Sequence, residues 1–230
     1  QPGDRLTLRD ALYSTLLGAD NVSALTIASF VGRDLVSRRG SGTPIAAFVS
    51  EMNNLARSLR MTKTRFTAPH GLDAGNAVST SCALDMALLG MYSMQNPAFC
   101  YIVSQASRRI GVQSQTKGTT MYDISNNNKM MSTSGVDGIK AGSSRAAGQC
   151  LLLSATRNAI ARRSPQTGTE VIYPQRMIIA VLGTGERYSL ARQMLNTGWR
   201  VWENWQASGM DMKDPKEFVQ LPVKSGTEKR

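Results

Sequence analysis

The stretch that decides the fold begins Val136-Asp-Gly-Ile-Lys-Ala-Gly142 and resumes as Cys150-Leu-Leu-Leu-Ser-Ala-Thr156. A third apolar run, Met177-Ile-Ile-Ala-Val-Leu182, follows further along the chain. Short continuous apolar runs bounded by glycine and polar residues are typical of buried strands. We therefore expect a short strand at 136–140 and buried strands at 150–156 and 177–182. The segment 157–176 between the last two reads as a long, basic hairpin excursion.

Helical periodicity dominates the sequence before this region. The run from Val22 to about Leu35 is rich in small residues and predicts a largely buried helix, and Thr43-Pro44 is a typical helix start. Predicted helices lie near 8–16, 22–35, 45–59 and 79–96, short strands at 108–116 and 119–124, and an amphipathic helix at 187–205.

Helices first, strands later and a helix last favour an α+β fold over the alternation of a doubly wound sheet. We expect a helical subdomain over residues 1–105, packed on an antiparallel sheet. The sheet portion and the closing helix of the same domain occupy 106–210. Residues 211–230 form a linker or the start of a C-terminal domain.

The composition excludes several classes of protein. With 41% apolar and 19% charged residues, the chain is neither disordered nor fibrous. No run approaches the roughly 18 apolar residues that a membrane helix needs. The sequence opens with Gln1-Pro2-Gly3 instead of Met. We therefore expect a fragment whose front is lost, so that any membrane association depends on the missing regions.

The chain is strongly basic, since 27 Lys and Arg minus 16 Asp and Glu give a net charge of +11. Such an excess usually indicates an anionic partner. The basic residues are dispersed, and no aromatic residues are interleaved among the bases between Asp137 and Glu170, so we expect no nucleic-acid partner. A carboxylate-bearing substrate or an anionic cell envelope fits this charge, and a basic domain for anionic polymers is the hypothesis from another class.

Metal and cofactor sites are not expected. The three cysteines are widely spaced, and His70 is the only histidine, so the sequence offers no set of zinc ligands. The sequence also lacks a Gly-x-Ser-x-Gly elbow and the glycine-rich phosphate loops.

Two tripeptides carry the functional signal: Ala19-Asp20-Asn21 is one residue away from Ser-Asp-Asn, and Lys140-Ala141-Gly142 is one residue away from Lys-Thr-Gly. They occur in order with Thr64-Arg-Phe-Thr-Ala-Pro-His-Gly-Leu-Asp73, with the segment 79–90, and with Gly185-Glu-Arg-Tyr188. In this order the segments resemble the D-alanyl-D-alanine carboxypeptidases, the low-molecular-mass penicillin-binding proteins. The resemblance covers about residues 3–220.

The resemblance implies a serine peptidase that removes the terminal D-alanine of peptidoglycan stem peptides through an acyl-serine intermediate, in the periplasm or elsewhere in the extracytoplasmic envelope. β-Lactams are then possible ligands. The implied catalytic residues are Lys140, which supplies positive charge, and Asn21, which holds the substrate amide. Gly142 is expected to leave the strand edge open so that the substrate peptide can approach. Arg187 is expected to bind the carboxylate of the peptide with its planar guanidinium group. We expect the corner 19–21, Lys140 and Arg187 to converge on one cleft.

Three departures from the family pattern favour an alternative. Ala19 replaces a serine that relays a proton, and Ala141 replaces a threonine that binds substrate. The only Ser-x-x-Lys string, Ser114-Gln-Thr-Lys117, reads as a strand end or hairpin turn, so we expect the nucleophile upstream of this sequence. The alternative is a catalytically degenerate module that binds stem peptides without hydrolysing them.

Each candidate residue also has a purely structural interpretation. Lys140 and Arg187 could be solvated surface charges, and Asn21 could cap the helix that follows it. His70 is expected to stabilise a turn, and the asparagines at 126–128 to satisfy loop backbone.

Overall fold

The computed structural model describes residues 3–72, 78–163, 168 and 170–209. Its helices are α1 (Leu8–Leu16), α2 (Asn21–Arg39), α3 (Pro44–Ser58), α4 (Ala83–Ser93), α5 (Pro97–Val103) and α6 (Arg187–Ala207). Its strands are β1 (Ser107–Ser114), β2 (Gly118–Ser125), β3 (Val136–Ser144), β4 (Gly148–Arg163) and β5 (Glu170–Thr184). The predicted α+β order is confirmed: helices come first, strands follow, and a helix is the last of the described elements.

Side-chain caps define the helix starts that the sequence predicts. Thr7 accepts a 3.0 Å hydrogen bond from the backbone N–H of Asp10 at the start of α1. Thr43 caps α3, whose first residue is Pro44. Because a hydroxyl at the cap satisfies a backbone donor that has no helical partner, these caps fix where the helices begin.

Helix α2 is less buried than predicted. Its buried residues are all small, whereas Val22 and Phe30 are 70% and 58% exposed. The buried seam lets α3 approach closely: a Cβ on Gly32 would lie 2.0 Å from the backbone oxygen of Pro44. The small residues therefore mark a narrow helix–helix contact, and the prediction of a largely buried helix was wrong.

The predicted helix at 79–96 ends at Ser93, and a second helix follows. Asn96 caps α5 by accepting from the backbone N–H groups of Ala98 and Phe99, at 3.0 and 3.4 Å, and Pro97 is its first residue. The Asn-Pro pair therefore starts a helix as well as marking the end of the preceding one. The sequence analysis missed α5.

The strands form two antiparallel sheets. β1 and β2 make a hairpin, and β3, β4 and β5 form a sheet in that order. β4 and β5 are much longer than predicted, because their ladder continues from Arg157 opposite Gln175 to Arg163 opposite Glu170. The described residues of the expected excursion therefore lie in paired strands. Backbone hydrogen bonds thus extend the pairing of β4 and β5 beyond the apolar runs from which the two strands were predicted.

The three-stranded sheet packs helices on both faces. Neighbouring residues of β4 point to opposite sides, so Leu151 and Leu153 belong to one cluster and Leu152 to another. The first cluster includes Ala191, Leu195 and Trp199 of α6, and the second includes Met94 and Val103 from the helical region before the strands.

The predicted boundary near residue 105 falls in the connection between α5 and β1. The division into subdomains stays a prediction, and residues 211–230 lie outside the described residues. No helix in the described part of the chain is long and apolar enough to cross a membrane.

Candidate functional site

A cavity of about 450 Å³ lies where the α1–α2 corner meets β3. The corner contributes Ala19, Asp20 and Asn21, and β3 contributes the run from Lys140 to Ser144. The other lining residues are Thr15, Ala24, Pro69, His70, Gly71, Leu72, Met86, Ala147, Cys150, Leu151, Leu152 and Leu182. The structure thus brings together the two tripeptides that sequence analysis singled out, although 119 residues separate Asn21 from Lys140 in the chain.

The corner wall, residues 19–21, is fixed by Asp20. Its carboxylate accepts from the backbone N–H groups of Val22 and Ser23, at 3.2 and 3.0 Å, and from the hydroxyls of Ser23 and Ser14. Asp20 is therefore the N-cap of α2, and Asn21 is the first residue of the helix. The structural interpretation of Asn21 as the cap was wrong, because the preceding carboxylate takes the donors that a cap satisfies.

The backbone of the corner is unusual at Ala19, whose φ of 60° lies in the left-handed region. That region is costly for a residue with a Cβ, by roughly 1–2 kcal/mol. The hydrogen bonds of Asp20 hold the chain there, and they also affect its acidity. Burial raises the pKa of Asp20, but hydrogen bonds from Ser23, Val22 and Ser14 outweigh it and lower the pKa below its usual value.

The asparagine loop 126–128 joins the corner to the rest of the site. Asn127 donates from its backbone N–H to the carbonyl of Leu17 at 3.0 Å and from its side chain to the carbonyl of Gly18 at 2.9 Å. The buried Asn128 donates to the carbonyl of Gly138 in β3 at 3.3 Å. The loop satisfies backbone groups, as predicted, and these groups lie just before the corner and just before the cavity-lining run of β3.

The strand wall, residues 140–144, carries the positive charge. Lys140 is half-buried, and its Nζ donates to the backbone carbonyl of Ala141 at 2.7 Å. Burial lowers the pKa of Lys140 to about 8, with a further contribution from the positive charge of Arg187. Its side chain is therefore not a freely solvated surface charge.

The backbone of β3 is open beside this lysine. β3 is an edge strand that pairs with β4 alone among the described strands. A Cβ at Gly142 would meet no atom within 4 Å, so another backbone can approach there. An edge strand with such a clearing is suited to accept an extended peptide as an added strand.

Arg187 does not line the cavity but bonds to the strand wall. Its Nη1 donates to the carbonyl of Gly142 at 2.7 Å and lies 3.5 Å from the carbonyl of Cys150. The guanidinium carbon stands 4.8 Å from the ring centroid of Tyr188, and Nε is buried without a partner among the described residues. The structure therefore joins the corner and Lys140 in one cavity and places Arg187 at the margin of β3.

The structure shows cavity residues that sequence analysis did not select. Thr15 lies in the last turn of α1, just before the corner, and periodicity along the helix carries no sign that it lines the cavity. His70 lines the cavity and accepts a 3.0 Å hydrogen bond from the backbone N–H of Leu72, which confirms its predicted role in a turn. Ser114 ends β1 and Lys117 lies in the exposed turn that follows, so this string forms the predicted strand end and turn and neither residue lines the cavity. No metal-binding cluster occurs among the residues whose structure is described.

Comparison with known proteins gives consistent matches. The family described as D-alanyl-D-alanine carboxypeptidase matches residues 1–164. The D-alanyl-D-alanine carboxypeptidase DacC of Escherichia coli is 28% identical over 210 residues, which cover 88% of this chain and 43% of DacC. The D-alanyl-D-alanine carboxypeptidase DacA of the same organism is 29% identical over 235 residues, which cover 100% of this chain and 49% of DacA.

Among solved structures, the Streptomyces DD-transpeptidase matches with a TM-score of 0.68 at 25% identity, covering 86% of this chain and 70% of that one. These matches confirm the resemblance and the fold class expected from the sequence. The chain spans about half the length of the curated relatives it matches.

Proposed function

The chain belongs to the D-alanyl-D-alanine carboxypeptidase family, and on that premise we propose that its protein is a serine-type D-Ala-D-Ala carboxypeptidase. It removes the terminal D-alanine of peptidoglycan stem peptides, and the cavity between the corner wall and the strand wall holds the end of the peptide. One observation carries the proposal: Asn21, Lys140 and Gly142 line the same cavity.

Each wall supplies a different part of substrate binding. The stem peptide pairs with the open edge of β3 at Gly142, and its terminal carboxylate is attracted by Lys140. Asn21 offers an amide that both donates and accepts, which suits a peptide group. Arg187 fixes the carbonyl of Gly142 through Nη1. We assign its remaining N–H groups to the carboxylate of the departing D-alanine, which the planar guanidinium suits.

The chemistry is acyl transfer in two steps. A serine hydroxyl attacks the carbonyl between the two D-alanines, the C–N bond breaks, and the amine leaves with a proton. Water then hydrolyses the acyl-serine ester and regenerates the hydroxyl. The proposal places this serine outside residues 1–230, because the sequence's only Ser-x-x-Lys string does not contribute to the cavity.

A second candidate function is favoured by the two alanines in the cavity. Ala19 and Ala141 carry no hydroxyl at the positions where the family uses serine and threonine. Removing positioned polar groups typically costs several kcal/mol of transition-state stabilisation. The alternative is a module that binds stem peptides and β-lactams without turning them over.

Covalent labelling separates the two candidates. The gene product that carries this sequence is incubated with a fluorescent penicillin, and release of D-alanine from a stem pentapeptide is measured in parallel. An acyl adduct with D-alanine release supports the enzyme, whereas peptide binding without an adduct supports the module. If neither an acyl adduct nor peptide binding is observed, both candidates are contradicted. If the alanines limit the rate, Ala19→Ser together with Ala141→Thr accelerates acylation.

The proposed location is the extracytoplasmic cell envelope, where peptidoglycan lies, and any membrane attachment is assigned to regions outside this sequence. The proposal involves neither nucleic acid nor a cofactor. Several basic side chains are already neutralised, as in the pairs of Arg157 with Glu203 and Arg176 with Asp137, at 2.6 and 2.8 Å. A steep loss of polymer binding with added salt, alongside no binding of stem peptide, would instead support a basic polymer-binding domain.

A further inference from the structure

One residue that lines the cavity carries a buried hydroxyl that the proposed mechanism does not use. Thr15 lies on α1 and lines the cavity together with Ala19, Asn21 and Lys140. Its Oγ1 is buried and has no hydrogen-bond partner among the described residues. A buried hydroxyl without a partner destabilises the folded state, because it has given up its hydrogen bonds to water and gained none in return.

Other polar groups of the cavity already have partners. The hydroxyl of Ser144 accepts from the backbone N–H of Ala147 at 3.0 Å, and Nδ1 of His70 accepts from Leu72. The carboxylate of Asp20 is occupied by the cap of α2. Each of these groups already has at least one partner, whereas the Thr15 hydroxyl has none among the described residues. A ligand that bonds to Thr15 therefore removes a penalty that the folded protein already carries.

The position of Thr15 gives its hydroxyl a route to a bound molecule. It lies in the last turn of α1, and the chain turns after the C-cap Leu17 so that Thr15 and Ala19 line the same cavity. Threonine in a helix populates two χ1 rotamers, and a rotation of about 120° moves the hydroxyl to the place that the methyl group held. The hydroxyl that Ala19 lacks is thus available from Thr15, which lines the same cavity.

We propose that Thr15 is a substrate-binding residue of this site, whose hydroxyl hydrogen-bonds a peptide group near the C-terminal end of the bound stem peptide. The inference rests on the proposed function of the cavity. Thr15→Val should therefore have two opposite effects. It removes an unpaired polar group from the free protein, which favours folding, and it removes a hydrogen bond from the complex, which weakens binding.

Calorimetric titration of the full chain with a peptide ending in D-alanyl-D-alanine tests this, together with thermal unfolding without ligand. Thr15→Val should weaken binding about tenfold, as expected for one lost hydrogen bond in a desolvated site, while its Tm stays equal or rises. Thr15→Ser keeps the hydroxyl and should retain the affinity. Thr26→Val is the matched control, since Thr26 is exposed on α2 and its hydroxyl bonds to the carbonyl of Val22.

The outcomes separate this inference from the proposed function. If the unsubstituted chain does not bind the peptide, the proposed function fails and the inference fails with it. Binding that Thr15→Val leaves unchanged overturns the inference alone. A clear fall in Tm for Thr15→Val shows that the hydroxyl stabilises the free protein, and this also overturns it.

Discussion

The two walls of the cavity are held in place by different kinds of interaction. The strand wall is part of a sheet whose faces are covered by apolar side chains of α6 on one side and of the earlier helices on the other. The corner wall is held by polar contacts: the cap at Asp20 and the side chain of Asn127, which reaches Gly18 from 109 residues away. The strand wall therefore lies within the packed sheet core, whereas the corner wall is fixed by hydrogen bonds beside a smaller apolar cluster of Tyr13, Leu17 and Ile110.

The largest expected effect comes from breaking the core beneath the strand wall. Leu153 is fully buried and lies opposite Ile139 in the ladder between β3 and β4. Leu153→Ala should lower the free energy of unfolding by about 2–5 kcal/mol, the range for truncating a buried leucine. Chemical denaturation measures this. The control is Ile172→Ala on β5, where the side chain is 68% exposed and the loss should be far smaller.

A second variant should stabilise the strand wall. Because folding lowers the pKa of Lys140 from 10.5 to about 8, the ammonium is disfavoured in the folded protein below pH 8. Lys140→Met should raise stability by about 2 kcal/mol at pH 7, since one pKa unit corresponds to about 1.4 kcal/mol and the open cavity screens part of the effect.

The pH dependence of this variant gives the sharper test. Between pH 8 and 10.5 the unfolded chain holds a proton that the folded chain has lost, so the stability of the unsubstituted protein rises with pH. The advantage of Lys140→Met should shrink across this window. Lys129→Met, at an exposed lysine, serves as the control, and an equal response from both variants would refute the assignment.

The corner wall should respond to loss of its cap. Asp20→Ala removes the acceptor for α2 and leaves the buried hydroxyl of Ser14 without its partner, so stability should fall by about 1–2 kcal/mol. The pKa of Asp20 is lowered on folding, so its contribution is present above the unfolded pKa of about 3.9. The contribution is lost as pH falls through the lower folded value. Thermal unfolding of both proteins between pH 7 and pH 2 measures this, and a pH-independent difference would contradict it.

The smallest effect concerns the backbone of the corner. Ala19→Gly should stabilise the protein by up to about 1 kcal/mol, because glycine adopts the left-handed conformation without a Cβ clash. The matched substitution Ala24→Gly lies inside α2 and should destabilise it by roughly 0.5–1 kcal/mol or more. Equal effects of the two substitutions on Tm would mean that Ala19 is not strained.

The difference between apolar packing and hydrogen bonding also explains which parts of the structure the sequence could predict. The apolar runs at 150–156 and 177–182 indicate strands because burial imposes a pattern on neighbouring residues. The extension of β4 to Arg163 was not predicted, because strands that pair outside the core do not need a run of apolar residues. Helix α5 was missed because the predicted helix at 79–96 stops at Asn96, and Asn96-Pro97 can also start a helix.

At the site, the sequence resemblance selected both tripeptides but could not give their contacts. Asp20 caps α2 because its carboxylate reaches the first N–H groups of the helix. Asp20 and Asn21 are both suitable residue types for an N-cap, so the sequence does not decide between them. The bond of Arg187 to Gly142 and that of Asn127 to Gly18 join positions 45 and 109 residues apart. Such contacts depend on the completed fold, so periodicity along the chain carries no sign of them.

The central claim, that both walls bind the end of one peptide, is tested most directly by NMR. A peptide ending in D-alanyl-D-alanine is titrated into the ¹⁵N-labelled chain while backbone amide shifts are followed. The account predicts that the amides of 19–21 and of 140–144 move together with one dissociation constant, and that a peptide ending in L-alanyl-L-alanine moves neither. Shifts confined to one wall, or located elsewhere on the protein, would contradict it.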